Sequence, residues 1–464
     1  MNTVCLLQEG VSMELTERKP LLFTNKALVA LVIPIILEAI LAIVAGTVDS
    51  AMVSSAGEAA VSAVSLVDTI NLLFITIFLG MVNGGSVITS QYIGKKDNKQ
   101  ACVSTNQILY LSTAVATALM LVLLCLHKPF LRLIYTDLEP IVFQNCCTYF
   151  VITLLGYPFF AMGATTTVTL RAMGRTRQAV VVTTAYNVLN VIGNAVLIYG
   201  FHMGVAGAAL STTLSRVVYA AVGLWLGHDK SLPAHLENVL KFRLDFDVLR
   251  RVFRIGIVNG TENGLFHVGK IMISSLLSSF STVAIAAYST SYTLNNIGWT
   301  IVGGFSTAML PVVGQCIGAG EKEQAKLNIK KLVGAGTVVM VAVFSGIFFL
   351  RDSLVRIYDF EEETLKLAAY YTAVGAIASV GSLYSFSFAP ASGFRAAGDI
   401  RFTMIMSSAS MFVFRVGLCF VVDAVWPAAG PMALYIGMWS DWAFRSVVNI
   451  IRYRSGKWIH KRLV

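Results

Sequence analysis

Charge is what this sequence has least of. Asp, Glu, Lys and Arg supply 13% of its 464 residues, against about 25% in soluble domains. Hydrophobic residues supply 56%, and the mean hydropathy is +0.72. This balance excludes an ordinary soluble fold and predicts a polytopic membrane protein. From Val283 to Ala319 there is no charge at all in 37 residues. Cysteine is also scarce: seven are present, most within apolar runs and two adjacent (Cys146, Cys147), without disulfide or metal-ligand spacing. They read as core residues. No GxxxxGK[ST] phosphate loop occurs, so nucleotide-driven transport has no support. HExxH and GxSxG spacings are missing as well, which argues against a membrane enzyme. Residues 1–25 are polar and lack the apolar core of a cleavable signal peptide, so the first span is expected to act as its own uncleaved signal.

What charge there is lies unevenly. The net charge is +10, which would suit nucleic acid if it formed a patch, but its distribution is that of a topology signal. Of the 35 Lys and Arg, five (Lys128, Arg132, Arg351, Arg356, Lys366) fall in one set of loops, four (Arg216, Lys270, Arg415, Arg445) fall inside spans, and the other 26 occupy the alternate loops and the termini. Both termini are therefore expected on the cytoplasmic side of the cell membrane, with no nucleic-acid partner. Apolar runs long enough to cross a bilayer, about 20 residues each, predict twelve helices. The expected organisation is an N-terminal cytoplasmic tail (1–25), a six-helix bundle (26–227), a cytoplasmic linker (228–254), a second six-helix bundle (255–451) and a cytoplasmic tail (452–464). The second and eighth spans exceed a bilayer about 30 Å thick. They are expected either to bend, at Gly298, Gly303, Gly304 and Pro311 in the eighth, or to project beyond the membrane.

The chain also repeats itself. At an offset of 224 residues, Gln91-Tyr92-Ile93-Gly94 matches Gln315-Cys316-Ile317-Gly318, and Gln100-Ala101 matches Gln324-Ala325. Arg171, Ala172, Gly174 and Arg177 match Arg395, Ala396, Gly398 and Arg401, while Glu38 matches Glu262 and Asn71 matches Asn295. Six spans separate the copies, and six is even. The halves therefore share one orientation and are related by a pseudo-two-fold axis along the membrane normal. The fold class expected is an all-α membrane protein of two bundles around a central cleft, working by alternating access.

The end of the first span (TVDSAMVSSAGEAAVSAVSLVD), QYIGKK, LRAMGRTR and NVLNVIGNAVLIYGFHMGVAGAALST, in that order and duplicated, resemble the multidrug and toxic compound extrusion (MATE) family. The resemblance covers about residues 21 to 452. It implies a secondary antiporter that expels organic cations or other amphipathic compounds in exchange for H+ or Na+, acts as a monomer and needs no further cofactor.

An ionisable side chain within a span costs about 2.5–3.5 kcal/mol on insertion scales, so each is a functional candidate. The first span carries Glu38 and Asp49, 11 residues and about 16 Å apart on one side of the helix. The resemblance assigns Asp49 to the family's N-terminal cation site. Asn187, Asn190 and Asn194 on the fifth span and Thr212 on the sixth are its expected partners, and Asp49 is the residue that would hold Na+. Where proton-coupled relatives often carry an aspartate, this chain aligns Asn194. The remaining cleft candidates are Glu38, Asp68 with Asn71, Glu262, Asn295, Lys270 and Arg415. Glu38 and Glu262 also suit a paired structural role within each bundle; Lys270 and Arg415 are the expected partners of Glu262, and Asp441 that of Arg445. Phe74, Phe78, Tyr288, Tyr292, Trp299, Tyr371, Tyr384 and Phe388 would offer flat cations an aromatic wall. A lipid-linked oligosaccharide flippase is the alternative reading, and it calls for a more cationic cleft than Arg216, Lys270 and Arg415 provide.

Overall fold

The computed structural model describes residues 21–464 except 136, 137, 238, 240, 359, 462 and 464. The expected N-terminal tail lies for the most part outside the described residues. Fifteen α-helices are described: α1 (Asn25–Ser54), α2 (Glu58–Gly94), α3 (Asn98–Ile134), α4 (Pro140–Leu155), α5 (Tyr157–Ala172), α6 (Thr176–Asn194), α7 (Gly204–Gly227), α8 (Phe246–Leu277), α9 (Thr282–Gly318), α10 (Lys322–Val355), α11 (Glu362–Gly381), α12 (Tyr384–Ala397), α13 (Ile400–Ser410), α14 (Leu418–Val425) and α15 (Met432–Ser455). Their starts are set by local chemistry. Thr24, Asp97, Asp245 and Ser281 each turn a side-chain oxygen onto a free first-turn N–H of α1, α3, α8 and α9.

Two pairs of helices make single bent spans. The α4–α5 pair turns by 46° at Gly156, where Pro158 removes a helix N–H, and α11–α12 turns by 49°, where Leu383 adopts a left-handed conformation. Two other spans contain a π-helical stretch, Ala195–Gly200 after α6 and Met411–Gly417 between α13 and α14. Counted this way the chain has two sets of six spans. Ten are long and apolar enough to cross a bilayer. The others, α8 and α15, are more polar, because they carry Glu262 with Lys270 and Asp441 with Arg445.

The long second and eighth spans are α2 and α9, each an unbroken helix of 37 residues. At 1.5 Å per residue they reach about 55 Å, so they extend past the bilayer and do not break, even though Pro311 lies inside α9. Within the stretch expected as the linker, α8 already begins at Phe246, placing Arg250, Arg251 and Arg254 in its first turns. The remaining connector does not lie free on a membrane surface. It is strapped to α3, where Asn106 donates to Glu237 O (2.8 Å), Gln107 to Arg243 O (2.7 Å) and Tyr110 to Val239 O (3.1 Å). His235 bridges Cys102 Sγ (3.5 Å) and Glu237 Oε1 (3.0 Å) through different ring nitrogens, a hydrogen-bond chain rather than a shared metal position. Cys102 is thus more than core filling.

The cores show where the bundles join. On the side carrying both termini, one continuous apolar cluster unites Phe23, Leu28, Leu31 and Ile35 of the first half with Val312, Ile317, Ile329, Phe394 and Trp458 of the second. Another joins Val82, Ile88 and Ile108 to Val252, Ile255 and Ile400. Toward the opposite side each bundle has a separate core, around Phe78, Tyr149 and Phe150 in the first and Tyr288, Phe344 and Tyr435 in the second. The bundles are therefore sealed at the termini side and parted at the other.

Candidate functional site

The N-terminal bundle concentrates polar side chains in its parted half. Asp49, near the end of α1, accepts a hydrogen bond from Asn194 Nδ2. Asn194 closes α6 where the helix widens into its π-helical stretch, is fully buried, and keeps Oδ1 without a partner. One turn earlier, Asn190 donates to Thr212 Oγ1 at 3.2 Å, and its carbonyl accepts from Ser211 Oγ at 2.7 Å. Across the bundle, Asp68 accepts from Asn71 (3.2 Å) and from Tyr149, and lies within electrostatic reach of Asp49 and Arg216. Asn71 in turn receives Tyr157 Oη at 2.8 Å. The buried Arg216 donates to Thr153 O at 3.0 Å and faces the Tyr157 and Phe160 rings at 5.9 and 5.7 Å. Asp68 thus has a guanidinium within electrostatic reach, whereas Asp49 is met by an amide whose own oxygen is left without a partner.

Of the predicted coupling residues, the structure brings Asp49 and Asn194 together. Asn190 and Thr212 pair with each other one turn deeper, without a bond to Asp49, and Asn187 makes no side-chain hydrogen bond among the described residues. Sequence reasoning missed Tyr149 and Tyr157. Their aromatic character reads as packing, and only the fold reveals that their hydroxyls meet Asp68 and Asn71 from α4 and α5.

Glu38 and Glu262 take the paired arrangement, but with different partners from those expected. Arg171 on α5 bonds Glu38, and at the equivalent place Arg395 Nη1 on α12 meets Glu262 Oε1 at 3.0 Å. The expected partners of Glu262, Lys270 and Arg415, lie elsewhere. Arg415 approaches Asp441 Oδ2 at 3.7 Å, and Asp441 is bonded by Arg445 Nε at 2.7 Å and by Ser410. Lys270 sits against the Phe266 ring, 5.4 Å from its centroid. Arg395 follows the 49° bend of the fourth span of its half, a change of direction that spacing along the sequence does not record. Asn295 bonds Ser291 O (2.9 Å) and Thr372 O (3.4 Å) inside its own bundle. It is a packing residue and does not line the cleft.

Glu262 and Arg395 border a cavity of about 260 Å³ between the bundles, together with Asn83, Asn259, Asn263 and Thr307. Glu262 Oε2 and Asn259 Oδ1 have no partner there. This chamber sits at the floor of the parted region, where the contact between α2 and α8 ends.

The duplication itself decides the family. Residues 34–196 and 260–421 each match the MatE family model, one match per bundle. The chain belongs to the MatE family. This MatE protein is 25% identical over 448 residues to a Thermotoga maritima protein named a probable multidrug resistance protein NorM, covering 95% of this chain and 94% of that one. With the multidrug export protein MepA of Staphylococcus aureus it shares 22% over 350 residues, 74% and 76% of the respective chains. Among solved structures, an outward-facing conformation of a multidrug resistance MATE family transporter of the MOP superfamily superposes with a TM-score of 0.86 at 19% identity, covering 93% of this chain and 95% of that one. The chain is a multi-pass membrane transporter, not an enzyme, with two six-helix bundles related by a pseudo-two-fold axis along the membrane normal.

Proposed function

We propose that this transporter is a secondary antiporter that exports amphipathic small molecules, organic cations among them, in exchange for H+ or Na+. The relatives named for multidrug resistance and export support the substrate class. The positive-inside distribution supports a cell-membrane location with both termini in the cytoplasm. On that orientation the sealed side is cytoplasmic, and the bundles part toward the exterior. A rocking motion about the sealed side would expose the same chamber inward, as parallel repeats allow, and a monomer has both bundles it needs.

The observation that carries the reading is the contact between Asp49 and Asn194. A carboxylate inside a span is held by an amide whose own oxygen is buried and unmatched, so the position is rich in acceptors and one short of a positive partner. A proton on Asp49 supplies it, and so does a sodium ion held by Asp49 with amide oxygen, the hard-oxygen chemistry such ions take. The test uses the purified protein in sealed proteoliposomes under an imposed pH gradient or an imposed sodium gradient, applied singly. Uptake or release of an organic cation dye driven by one of them supports the proposal. Dye movement indifferent to both gradients sinks it.

A further inference from the structure

The two bundles, alike in fold, are opposite in charge. Among the ionisable side chains discussed above, the first carries Glu38, Asp49 and Asp68 against Arg171 and Arg216. The second carries Glu262 and Asp441 against Lys270, Arg395, Arg415 and Arg445. After the Glu262–Arg395 pair is set aside, Asp441 is the one carboxylate left among three cations. Those three surround a single ring: Lys270 Nζ, Arg415 Cζ and Arg445 Cζ lie 5.4, 5.5 and 5.8 Å from the Phe266 centroid.

Asp441 does not satisfy them. Its Oδ1 is taken by Arg445 and Ser410. Arg415, only 7% exposed, makes no hydrogen bond to any described residue, and the carboxylate oxygen it approaches is 3.7 Å away, beyond hydrogen-bond reach. Lys270 has neither a hydrogen bond nor an ion pair among the described residues. A buried guanidinium whose one counter-ion, Asp441, stands at 3.7 Å without a hydrogen bond is costly unless a further acceptor meets its N–H groups, and Lys270, near the same Phe266 ring, has no counter-ion of its own. The position is reachable. Asn259, Glu262, Phe266 and Lys270 fall on one face of α8, the first two bordering the chamber between the bundles, and the hydrogen bonds between α2 and α8 stop at Asn263. Phe266 and Lys270 lie beyond that point, on the parted side. Tyr384, half-buried, within electrostatic reach of Arg415 and edge-on at 4.9 Å to the buried Trp442, adds flat apolar surface.

We propose that the C-terminal bundle holds a subsite for an anionic group, and that this transporter carries aromatic carboxylates, the carboxylate bonded by Arg415 and Lys270 and the ring laid against Phe266 and Tyr384. The inference rests on the efflux reading above and narrows it, since acid-and-amide chemistry in one bundle and cationic-aromatic chemistry in the other would also hold a zwitterion end to end. Guanidinium and carboxylate match as a planar, charge-assisted pair, which an uncharged ester of the same ring cannot form.

The experiment measures binding of anthracene-9-carboxylate and of its methyl ester to the purified full-length protein, by tryptophan quenching. Preference for the carboxylate of about tenfold is expected, the size of one good charge-assisted interaction. Lys270→Gln and Arg415→Gln should each bring the two ligands to near-equal affinity, and Arg415→Lys should retain part of the preference. Lys270 loses no polar partner on substitution, so that variant stays informative if Arg415→Gln fails to fold. Equal binding of both ligands by the wild type overturns the proposal, as does an unchanged preference in Lys270→Gln. Repeating the measurement in nanodiscs containing phosphatidylglycerol separates a solute site from a lipid-headgroup site: complete loss of carboxylate binding there also overturns it. If a dye is exported under a gradient but no carboxylate preference exists, the subsite falls and the antiporter stands. Carboxylate preference without gradient-driven export of any dye gives the reverse.

Discussion

Gln91 and Gln315 each reach into the opposite bundle. Gln91 Nε2 donates to Ala396 O at 2.8 Å, and Gln315 Nε2 donates to Ala172 O at 2.7 Å. All four residues obey the 224-residue offset, so the two bonds are images of one another across the pseudo-two-fold axis. They join α2 to the end of α12 and α9 to the end of α5 on the termini side. Any opening of that side must break both together. Each is worth about 1 kcal/mol net, and on the proposed rocking motion the pair would set part of the balance between the two states. Replacing both with leucine should raise the population open at the termini side by about tenfold or more. Spin labels on α2 and α9 report that population as a distance distribution, and an unchanged distribution in the double variant would remove the latch role.

Gly94 and Gly318 explain how the latch can form. Both are the last residues of their helices and have ordinary helical backbone; the left-handed conformations at these corners belong to Lys96 and Gly320. They are glycine because the helices touch there: a Cβ on Gly94 would overlap Gln315 O, and one on Gly318 would overlap Gln91 O. Gly94→Ala should cost roughly 2 kcal/mol or more through forced separation of the helices and should impair transport. Gly46→Ala, with nothing within 4 Å of the added methyl, is the matched control. Thermal melts in detergent that place the two variants level would refute the account.

The Glu262–Arg395 pair predicts a characteristic non-additivity. Arg395→Met leaves a half-buried carboxylate alone beside an oxygen that already lacks a partner. A loss of roughly 2–3 kcal/mol is expected, somewhat below the figure for fully dry pairs because both side chains keep some exposure. Adding Glu262→Gln should restore much of it. Additive losses in the double variant would show that the two side chains act independently.

How much of this was legible from sequence follows from what a one-dimensional pattern records. Composition gave the membrane class and the even spacing of copies gave parallel bundles, while Lys/Arg counts supply only an expected orientation. Matching offsets also paired Glu38 with Glu262 as equivalent residues. The offset could not say that Arg171 and Arg395 answer them, because that pairing depends on the bends at Gly156 and near Leu383. Nor could periodicity tell Tyr149 and Tyr157 from other apolar-run aromatics, since their hydroxyls act across helices. Lys270 and Arg415 were legible as cations inside spans. Their lack of hydrogen-bonded acceptors was not, because it required knowing that Arg445 and Ser410 both take Asp441 Oδ1 and that Oδ2 stays 3.7 Å from Arg415.

Asp49→Asn is the most direct test of the coupling site. Asparagine preserves the shape and one acceptor oxygen at the end of α1, so the contact with Asn194 survives in a neutral form and the fold should be retained, with a melting temperature within a few degrees of wild type. The amide cannot take up and release a proton, and it offers no charge to hold sodium. Export driven by either gradient should therefore fall to the background of empty vesicles, while dye binding to the detergent-purified protein persists. Asp68→Asn provides the contrast, because Asp68 already has Asn71 and Tyr149 as donors and Arg216 within electrostatic reach. Its loss should weaken export without abolishing it. Proteoliposome flux measured for both variants decides the matter: wild-type flux in Asp49→Asn would move the coupling role to Asp68 if Asp68→Asn is dead, and to Glu262 if it is not.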